Sequence, residues 1–180
     1  MATPTGETAP KILEGHWDDN VSWEFYLTDQ LPDPSLCTAV FCLAIVEDTG
    51  EIVLARGKRG WEMLGGHLEP GETIEQALVR EAIEEGGFLP DHYAPFGYRK
   101  ILAKEPVIND HGGGTYPTTA YIPHFIATTN KPLTQPTMLG SEILESRTFG
   151  ETEIPELQPN LESIILLGLE QYHRLKERTA

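Results

Sequence analysis

Three glutamates close together in the chain are the residues best suited to chemistry. Glu81, Glu84 and Glu85 are followed directly by Gly86 and Gly87. On a helix these spacings place the three carboxylates on one face, where like charges repel one another. At the C-terminal end of a helix, the dipole adds a further cost of about 0.3–1 kcal/mol for each group. A hard divalent cation such as Mg²⁺ would offset this charge, because it prefers carboxylate oxygens. A solvated acidic helix end is the alternative explanation.

The helix that would carry the three acids has a well-marked start. Pro70 and Gly71 predict a turn, and Thr73 with Gln76 three positions later matches a capping box. We therefore expect the helix to begin near Ile74.

An apolar stripe on this helix leads into the acids. Ile74, Ala77 and Leu78 share one face, and further steps of three and four residues along that face reach the glutamates, starting with Glu81. Because the first half of such a stripe belongs in a hydrophobic core, the carboxylates are expected to point towards a rim or cleft.

The glutamates are part of a longer pattern of fixed residues. The stretch from Gly66 to Phe88 reads GHLEPGETIEQALVREAIEEGGF. Within it, polar and glycine residues recur at fixed spacings: Gly66, Glu72, Arg80, Glu81, Glu84, Glu85 and Gly87, with apolar Phe88 at the end. This pattern resembles the Nudix box, the signature of the Nudix hydrolase family, at every fixed position. Two departures, Ala82 in place of a bulky aliphatic residue and Gly86 in place of a frequent threonine, remove no ligand.

The resemblance implies a function and a set of roles. Nudix hydrolases cleave a diphosphate linkage in a nucleoside diphosphate that is joined to another group. By this resemblance Glu81, Glu84 and Glu85 would be ligands of Mg²⁺, or of Mn²⁺, together with the main-chain carbonyl of Gly66. Glu72 and Arg80 complete the implied catalytic set: Glu72 would pair with Arg80 and fix the glycine loop against the helix.

Two questions stay open within the family. Glu81 could deprotonate the attacking water, but in some relatives a glutamate outside the box does so, and here the candidates are Glu142 and Glu145. Glu145 also best fits the position of an additional metal ligand. The alternative function is a non-catalytic, nucleotide-sensing Nudix domain, although a pure binder has no need for three mutually repelling glutamates.

A short basic segment precedes the box in an otherwise acidic chain. Arg56, Lys58 and Arg59 lead through Trp61 into the glycine turn. These residues are candidates for binding the phosphates of the substrate, because cationic side chains pair with phosphate oxygens. A solvated loop is the alternative.

The composition of the chain limits which classes of partner and which cellular location are expected. The formal net charge of -15 argues against a nucleic-acid polymer, because binding of such polymers depends on Lys and Arg. A small nucleotide-type substrate remains compatible if metal ions screen the acids. The sequence has neither an apolar run long enough for a membrane span nor a signal peptide, so no membrane partner and a cytoplasmic location are expected.

A length of 180 residues suits one domain. We expect a flexible tail over residues 1–10 and a single Nudix domain over residues 11–180. Residues 11–35 would be an N-terminal β-hairpin extension that could serve as a homodimer interface. Cys37 and Cys42 are expected to remain unpaired thiols.

The expected fold class is α/β, of the α+β type. The resemblance implies an α/β/α sandwich with a mixed sheet between the box helix and a C-terminal helix. The run from Thr38 to Glu47 predicts a strand that is buried on both faces. Glu51 to Ala55 is expected to form its antiparallel neighbour. Further strands are expected from Phe96 to Ala103 and from Thr119 to Thr128, the latter bent or placed at an edge at Pro123. Pro155 to Arg178 predicts the final helix.

Overall fold

The computed structural model describes residues 9–108, 115–130, 143–154, 157 and 161–179. Eleven strands and two α-helices lie within these residues. The strands are β1 Lys11–His16, β2 Val21–Leu27, β3 Ala39–Val46, β4 Ile52–Gly57, β5 Gly60–Glu62, β6 Leu64–His67, β7 His92–Ala103, β8 Val107–Ile108, β9 Thr115–Tyr116, β10 Thr119–Thr129 and β11 Glu145–Phe149. The helices are α1 Ile74–Glu84 and α2 Leu161–Thr179.

One mixed sheet forms the centre of the molecule. Its strand order is β1-β2-β7-β10-β3-β4-β11, with β5 paired to β4 and β6 paired to β3. β3 and β10 run parallel, whereas β10 and β7 run antiparallel. β8 and β9 form a separate two-stranded sheet.

The two helices cover opposite faces of the sheet. Residues of α1, such as Leu78, share a buried cluster with Val40 of β3 and Leu64 of β6. Residues of α2, such as Ile165, belong to the other cluster, which contains Leu43 of β3. Successive residues of a strand point to opposite faces, so β3, being buried on both sides, separates the two clusters. The predicted sandwich of mixed sheet and two helices is confirmed.

The predicted bounds of β10 are almost correct, but one option for its position is wrong. β10 lies between β7 and β3 and is not an edge strand. Pro123 is tolerated there because the pairing with β3 begins one residue later, at His124, and the register against β7 shifts between His124 and Phe125. The missing N–H of proline therefore coincides with an irregular part of the ladder.

Other boundaries differ more. β7 begins at His92, four residues before the predicted start. α2 begins at Leu161, and residues 155–156 and 158–160, which the prediction included in this helix, lie outside the described residues. Leu175, near the end of α2, is 46% exposed.

The N-terminal strands are joined to the main sheet. β1 and β2 pair antiparallel around a turn in which the carboxylate of Asp18 accepts hydrogen bonds from the N–H groups of Asn20 and Val21, each at 2.7 Å. β2 also pairs with β7. Residues 1–8 of the predicted tail lie outside the described residues. Cys37 and Cys42 are both unpaired thiols. Neither α1 nor α2 is long and apolar enough to cross a membrane.

Candidate active site

The capping box holds the start of α1. The hydroxyl oxygen of Thr73 accepts a hydrogen bond from the N–H of Gln76 at 3.2 Å, and the side-chain oxygen of Gln76 accepts one from the N–H of Thr73 at 2.9 Å. Two helix N–H groups that would lack partners are thereby satisfied. α1 accordingly begins at Ile74, as predicted.

The stripe on α1 remains buried where it becomes acidic. Ile74, Ala77 and Leu78 are buried, and Glu81 on the same face is only 7% exposed. The side chain of Glu84, in contrast, is 44% exposed. The cluster of acids therefore has a buried part and a solvent-facing part.

A glycine turn lies directly against the buried acids. The N–H of Gly65 donates a hydrogen bond to Oε2 of Glu85 at 2.9 Å. At Gly66, an added Cβ would lie 2.2 Å from Oε1 of Glu81, so no larger residue fits there without moving that carboxylate. An added Cβ at Gly65 would lie 2.3 Å from the carbonyl oxygen of Val40. The backbone of β3 therefore requires glycine at position 65, whereas a larger residue at position 66 would displace the Glu81 carboxylate.

The predicted pairing of Glu72 with Arg80 is present and is bidentate. Nε of Arg80 donates to Oε1 of Glu72 at 2.9 Å, and Nη2 donates to Oε2 at 3.0 Å. Nη2 also donates to the carbonyl oxygen of His67 at 2.9 Å. The hydrogen bonds from Arg80 lower the pKa of Glu72. Arg80 therefore ties the segment between the glycine turn and α1 to the body of the helix.

Arg80 also contacts two of the three predicted metal ligands. Its Nη1 donates to Oε1 of Glu81 at 2.7 Å and to Oε2 of Glu84 at 3.3 Å. Part of the positive charge that the acids require is thus supplied by the chain itself, which the sequence analysis missed. The spacing from Arg80 to Glu84, four residues on a helix, would have indicated this contact.

Two of the acids have shifted pKa values. Burial raises the pKa of Glu85 to about 8, against the hydrogen bond from Gly65, and neighbouring carboxylates including Glu62 raise it further. Burial also raises the pKa of Glu81, against the hydrogen bond from Arg80. Glu62, on β5, was not identified from the sequence as a neighbour of these acids. Its position next to buried Trp61 on a strand would have indicated only that its side chain points to the opposite face. Both buried acids are destabilised as anions and favour a nearby cation.

The donor chemistry fits a hard divalent cation. Glu81, Glu84 and Glu85 offer carboxylate oxygens, and their three formal negative charges exceed the single positive charge of Arg80 beside them. As positioned within the described part of the chain, no three acidic, imidazole or thiol groups surround a common point. These residues therefore match a divalent cation in the type of their donor atoms and in their charge.

The basic segment lies next to acids. Nε of Arg56 lies 2.9 Å from Oε1 of Glu145, across the β4–β11 pairing, and Nη2 of Arg59 lies 3.2 Å from Oε2 of Glu62. Lys58 is exposed in the turn between β4 and β5. The carboxylate of Glu145, a predicted metal ligand, is thus engaged by Arg56. Glu142, the other candidate outside the box, lies outside the described residues.

Two further contacts define the edge of the site. Trp61 packs its ring against Phe149 at 4.8 Å between centroids, and the guanidinium of Arg56 lies 5.7 Å from the Trp61 ring. The hydroxyl of Ser146 donates a hydrogen bond to the main-chain oxygen of Glu85. Trp61 thus packs against β11 at this edge, its predicted role in binding substrate stays a prediction, and β11 runs past the C-terminal end of α1.

Comparison with known proteins was made on sequence and on structure. A family model described as NUDIX domain matches residues 36–166. The chain is 43% identical over 64 residues to an oxidized purine nucleoside triphosphate hydrolase of Danio rerio, a match that covers 33% of this chain and 41% of that protein. It is 40% identical over 52 residues to an RNA pyrophosphohydrolase of Acinetobacter baylyi, covering 28% of this chain and 31% of that protein. The chain thus matches well under half the length of these curated relatives.

Among solved structures, the pyrophosphohydrolase BsRppH of Bacillus subtilis has a similar fold. The TM-score is 0.65 at 21% sequence identity, and the match covers 91% of this chain and 97% of that chain. At this identity the similarity concerns the fold.

Proposed function

The chain belongs to the Nudix family, whose domain model matches most of its length, and on this premise we propose that it is a metal-dependent pyrophosphohydrolase. It cleaves a diphosphate linkage in a nucleotide or nucleotide conjugate by attack of water at phosphorus. The observation that carries this proposal is the pair of buried carboxylates, Glu81 and Glu85, held against the glycine turn with raised pKa values.

The residues proposed to hold the cation are Glu81, Glu84, Glu85 and the main-chain oxygen of Gly66. Glu145 is proposed as an additional ligand. When bound, Mg²⁺ or Mn²⁺ neutralises charge on the phosphate oxygens and lowers the pKa of water.

The other residues of the box orient these groups and move a proton. Arg80 fixes Glu81 through Nη1 and the preceding segment through Glu72 and His67. A carboxylate of Glu81 accepts the proton of the attacking water, and burial favours this step because it raises the pKa of the acid towards the working pH. Arg80 and Glu72 act as positioning residues.

The substrate is proposed to be a nucleoside diphosphate derivative. The names of the two curated relatives suggest two kinds of test compound: nucleoside triphosphates with normal or oxidised purines, and RNA with a 5′-triphosphate. The net charge of -15 favours the small nucleotides, because a long RNA would be repelled along its backbone.

A panel of such compounds, assayed with Mg²⁺ and with Mn²⁺, tests the proposal. The wild-type protein is expected to release pyrophosphate, phosphate or nucleoside monophosphate from at least one member. Glu85→Gln should abolish this release while the fold is retained. Glu75→Gln is the matched control, since Glu75 is an exposed acid in the first turn of the same helix. Equal turnover by Glu85→Gln and the wild type would refute the proposal.

A non-catalytic, nucleotide-sensing domain is the second candidate. The contacts of Arg80 Nη1 with Glu81 and Glu84 favour it, because they neutralise within the chain part of the charge that a cation would otherwise meet. It predicts saturable nucleotide binding by calorimetry without turnover of any panel member. Metal-dependent turnover that is lost in Glu85→Gln would exclude it.

A further inference from the structure

Glu85 differs from the other two acids in the place of its backbone. It caps the C-terminal end of α1, and the chain leaves the helix just after it through Gly87, whose φ of 70° is left-handed. The last carbonyl groups of a helix have no donor within the helix itself. The N–H groups of Gly86 and Gly87 turn back to the carbonyl oxygens of Ala82 and Ile83, each at 3.1 Å. The carbonyl of Glu85 is therefore left to a donor from another element.

Ser146, on β11, supplies that donor. Its hydroxyl donates a hydrogen bond to the main-chain oxygen of Glu85. Residues directly opposite each other in an antiparallel pair share a face of the sheet, and Ser146 lies opposite Ala55 of β4. Ala55 belongs to the same buried cluster as Ala82 of α1. The side chain of Ser146 therefore points towards the helix.

The other residues of β11 do not share this position. Arg147 lies on the opposite face, where its guanidinium is 5.2 Å from the ring centroid of Trp61, and Glu145 alternates with Ser146 in the same way. Thr148 shares the face of Ser146 but lies two residues further along the strand. The contact with the end of α1 therefore rests on the hydroxyl of Ser146.

Glu85 is thus held at two points by two different strands. Its Oε2 accepts a hydrogen bond from the N–H of Gly65 on β6 at 2.9 Å, and its main-chain oxygen accepts the bond from Ser146 on β11. A carboxylate that is fixed only at its oxygen can still move with the backbone that carries it. The second bond removes this freedom, so that the side chain and the backbone of Glu85 are both fixed before a cation binds.

We propose that Ser146 is a positioning residue of the metal site: it holds the main-chain oxygen of Glu85 and thereby orients the Glu85 carboxylate towards the cation. This assignment rests on the proposed function, which makes Glu85 a metal ligand. The hydroxyl acts through Glu85 and contacts neither cation nor substrate. Removal of a hydrogen-bond partner behind a metal ligand weakens metal binding by about 10- to 100-fold.

A helix cap that serves only stability is the competing explanation, and the two make different predictions. If Ser146 only caps α1, its loss lowers the melting temperature and loosens the protein as a whole. If Ser146 positions Glu85, its loss acts first on the contacts of the Glu85 carboxylate and on metal affinity. The tests therefore compare the site with a distant part of the same sheet.

The first test needs neither metal nor turnover. Amide hydrogen exchange is measured by NMR in EDTA for the wild type and for Ser146→Ala. Exchange at Gly65 should become several-fold faster, because Glu85 is no longer held against this N–H. The N–H of Val46, which donates to the carbonyl oxygen of Glu51 at the far end of β3, is the internal reference and should be unchanged. Unchanged exchange at Gly65, or equal acceleration at Gly65 and Val46, would overturn the assignment.

The second test measures the binding of Mn²⁺ by EPR without nucleotide. Ser146→Ala should raise the Kd by about ten-fold. Ser146→Thr should restore wild-type affinity, because it keeps the hydroxyl and threonine suits a strand. Thr148→Val is the matched control: it removes a hydroxyl from the same face of the same strand. Wild-type affinity in Ser146→Ala, or equal weakening in Thr148→Val, would overturn the assignment.

A further pair of variants separates the hydroxyl from the packing at this position. Ser146→Thr and Ser146→Val have nearly the same shape and differ in the hydroxyl. Only the threonine variant should bind Mn²⁺ with wild-type affinity. This pair decides the question even if Ser146→Ala is too unstable to measure, which thermal unfolding shows. Equal affinity in the two variants would mean that the hydroxyl does not act on the metal site.

The two proposals can fail separately. Mn²⁺ binding that depends on Ser146, with no hydrolysis of any nucleotide, would reject the pyrophosphohydrolase and leave the role of Ser146 standing. Metal-dependent hydrolysis with the same Mn²⁺ affinity and the same Gly65 exchange in Ser146→Ala would do the reverse.

Discussion

Arg80 on α1 and Arg99 on β7 are two partly buried arginines whose surroundings differ. Arg80 contacts the carboxylates of Glu72, Glu81 and Glu84. Arg99 lies on aromatic rings, and its Nε is left without a partner. The first arginine has its hydrogen bonds satisfied inside the protein and therefore fixes structure. The guanidinium of the second lies near two aromatic rings, and its Nε has no hydrogen-bond partner. The two arginines therefore differ in the partners of their side chains, and this difference should appear in the stability of their variants.

Removing Arg80 should have the largest effect. Arg80→Met leaves Glu72 and Glu81 without their cation, and loss of one partner from a buried ion pair costs about 3–5 kcal/mol. We expect a lower melting temperature and a turnover reduced by at least about a hundred-fold, because the glycine turn loses its tie to α1. Thermal unfolding and steady-state kinetics measure the two effects. A melting temperature equal to that of the wild type would show that Arg80 does not stabilise the fold more than Arg99 does.

The pH dependence of stability should separate acids that Arg80 satisfies from acids that it does not. Glu85 has a folded-state pKa of about 8, above its unfolded value, so the folded state binds its proton more tightly. Without metal, this group makes the protein less stable as pH rises from about 4.5 to 8. Glu85→Gln removes that loss and should be the more stable protein at pH 8, by several degrees in melting temperature.

Chemical denaturation at a series of pH values in EDTA measures this difference, with Glu75→Gln as the control. Adding Mg²⁺ at pH 8 should raise the melting temperature of the wild type and raise that of Glu85→Gln much less. A wild-type stability that is flat between pH 5 and pH 8 would contradict the expectation.

Glu72 should show the opposite sign. Its folded-state pKa is lowered by Arg80, so its contribution to stability is present above the unfolded value and is lost as the pH falls below about 4.5. Glu72→Gln keeps the shape but loses the charge, at a cost of about 1–3 kcal/mol at neutral pH. Urea denaturation at pH 7 and at pH 4 should show a smaller difference between variant and wild type at the lower pH. An equal difference at both values would mean that the ion pair contributes little.

Arg99→Met should have the smallest effect on stability. The substitution removes a desolvated cation and retains apolar packing on Trp23 and Phe41, so we expect a melting temperature equal to or slightly above that of the wild type. A large fall would show that Arg99 is held by interactions as structural as those of Arg80. Arg80 and Arg99 would then not differ in their contribution to stability.

The parts of the site that could be predicted from the sequence are local ones. The capping box of Thr73 and Gln76, and the pairing of Glu72 with Arg80, involve residues within one helical segment, whose geometry follows from helix periodicity. The mixed sheet between two helices was also predicted, through resemblance to a known family. The long apolar run of β3 indicated its central position correctly.

The remaining parts depend on strands that are distant in the sequence. Arg99 has no local signal, because its partners Trp23 and Phe41 come from β2 and β3, and only the order of strands brings them together. For the same reason the pairing of Arg56 with Glu145 was missed, since it depends on β4 lying beside β11. Spacing along one segment gives no information about such contacts.

The parallel ladder between β3 and β10 has a consequence for how the molecule assembles. It joins Phe41 to His124, so a long intervening segment that contains α1 must close before the ladder forms. Closing such a loop costs conformational entropy before the pairing is formed, so we expect this pairing to form late in folding. The capped helix with its arginine can form early from local contacts. The contact of Arg99 with Phe41 needs β3 in place beside β10, whereas its contact with Trp23 needs only the separate pairing of β2 with β7.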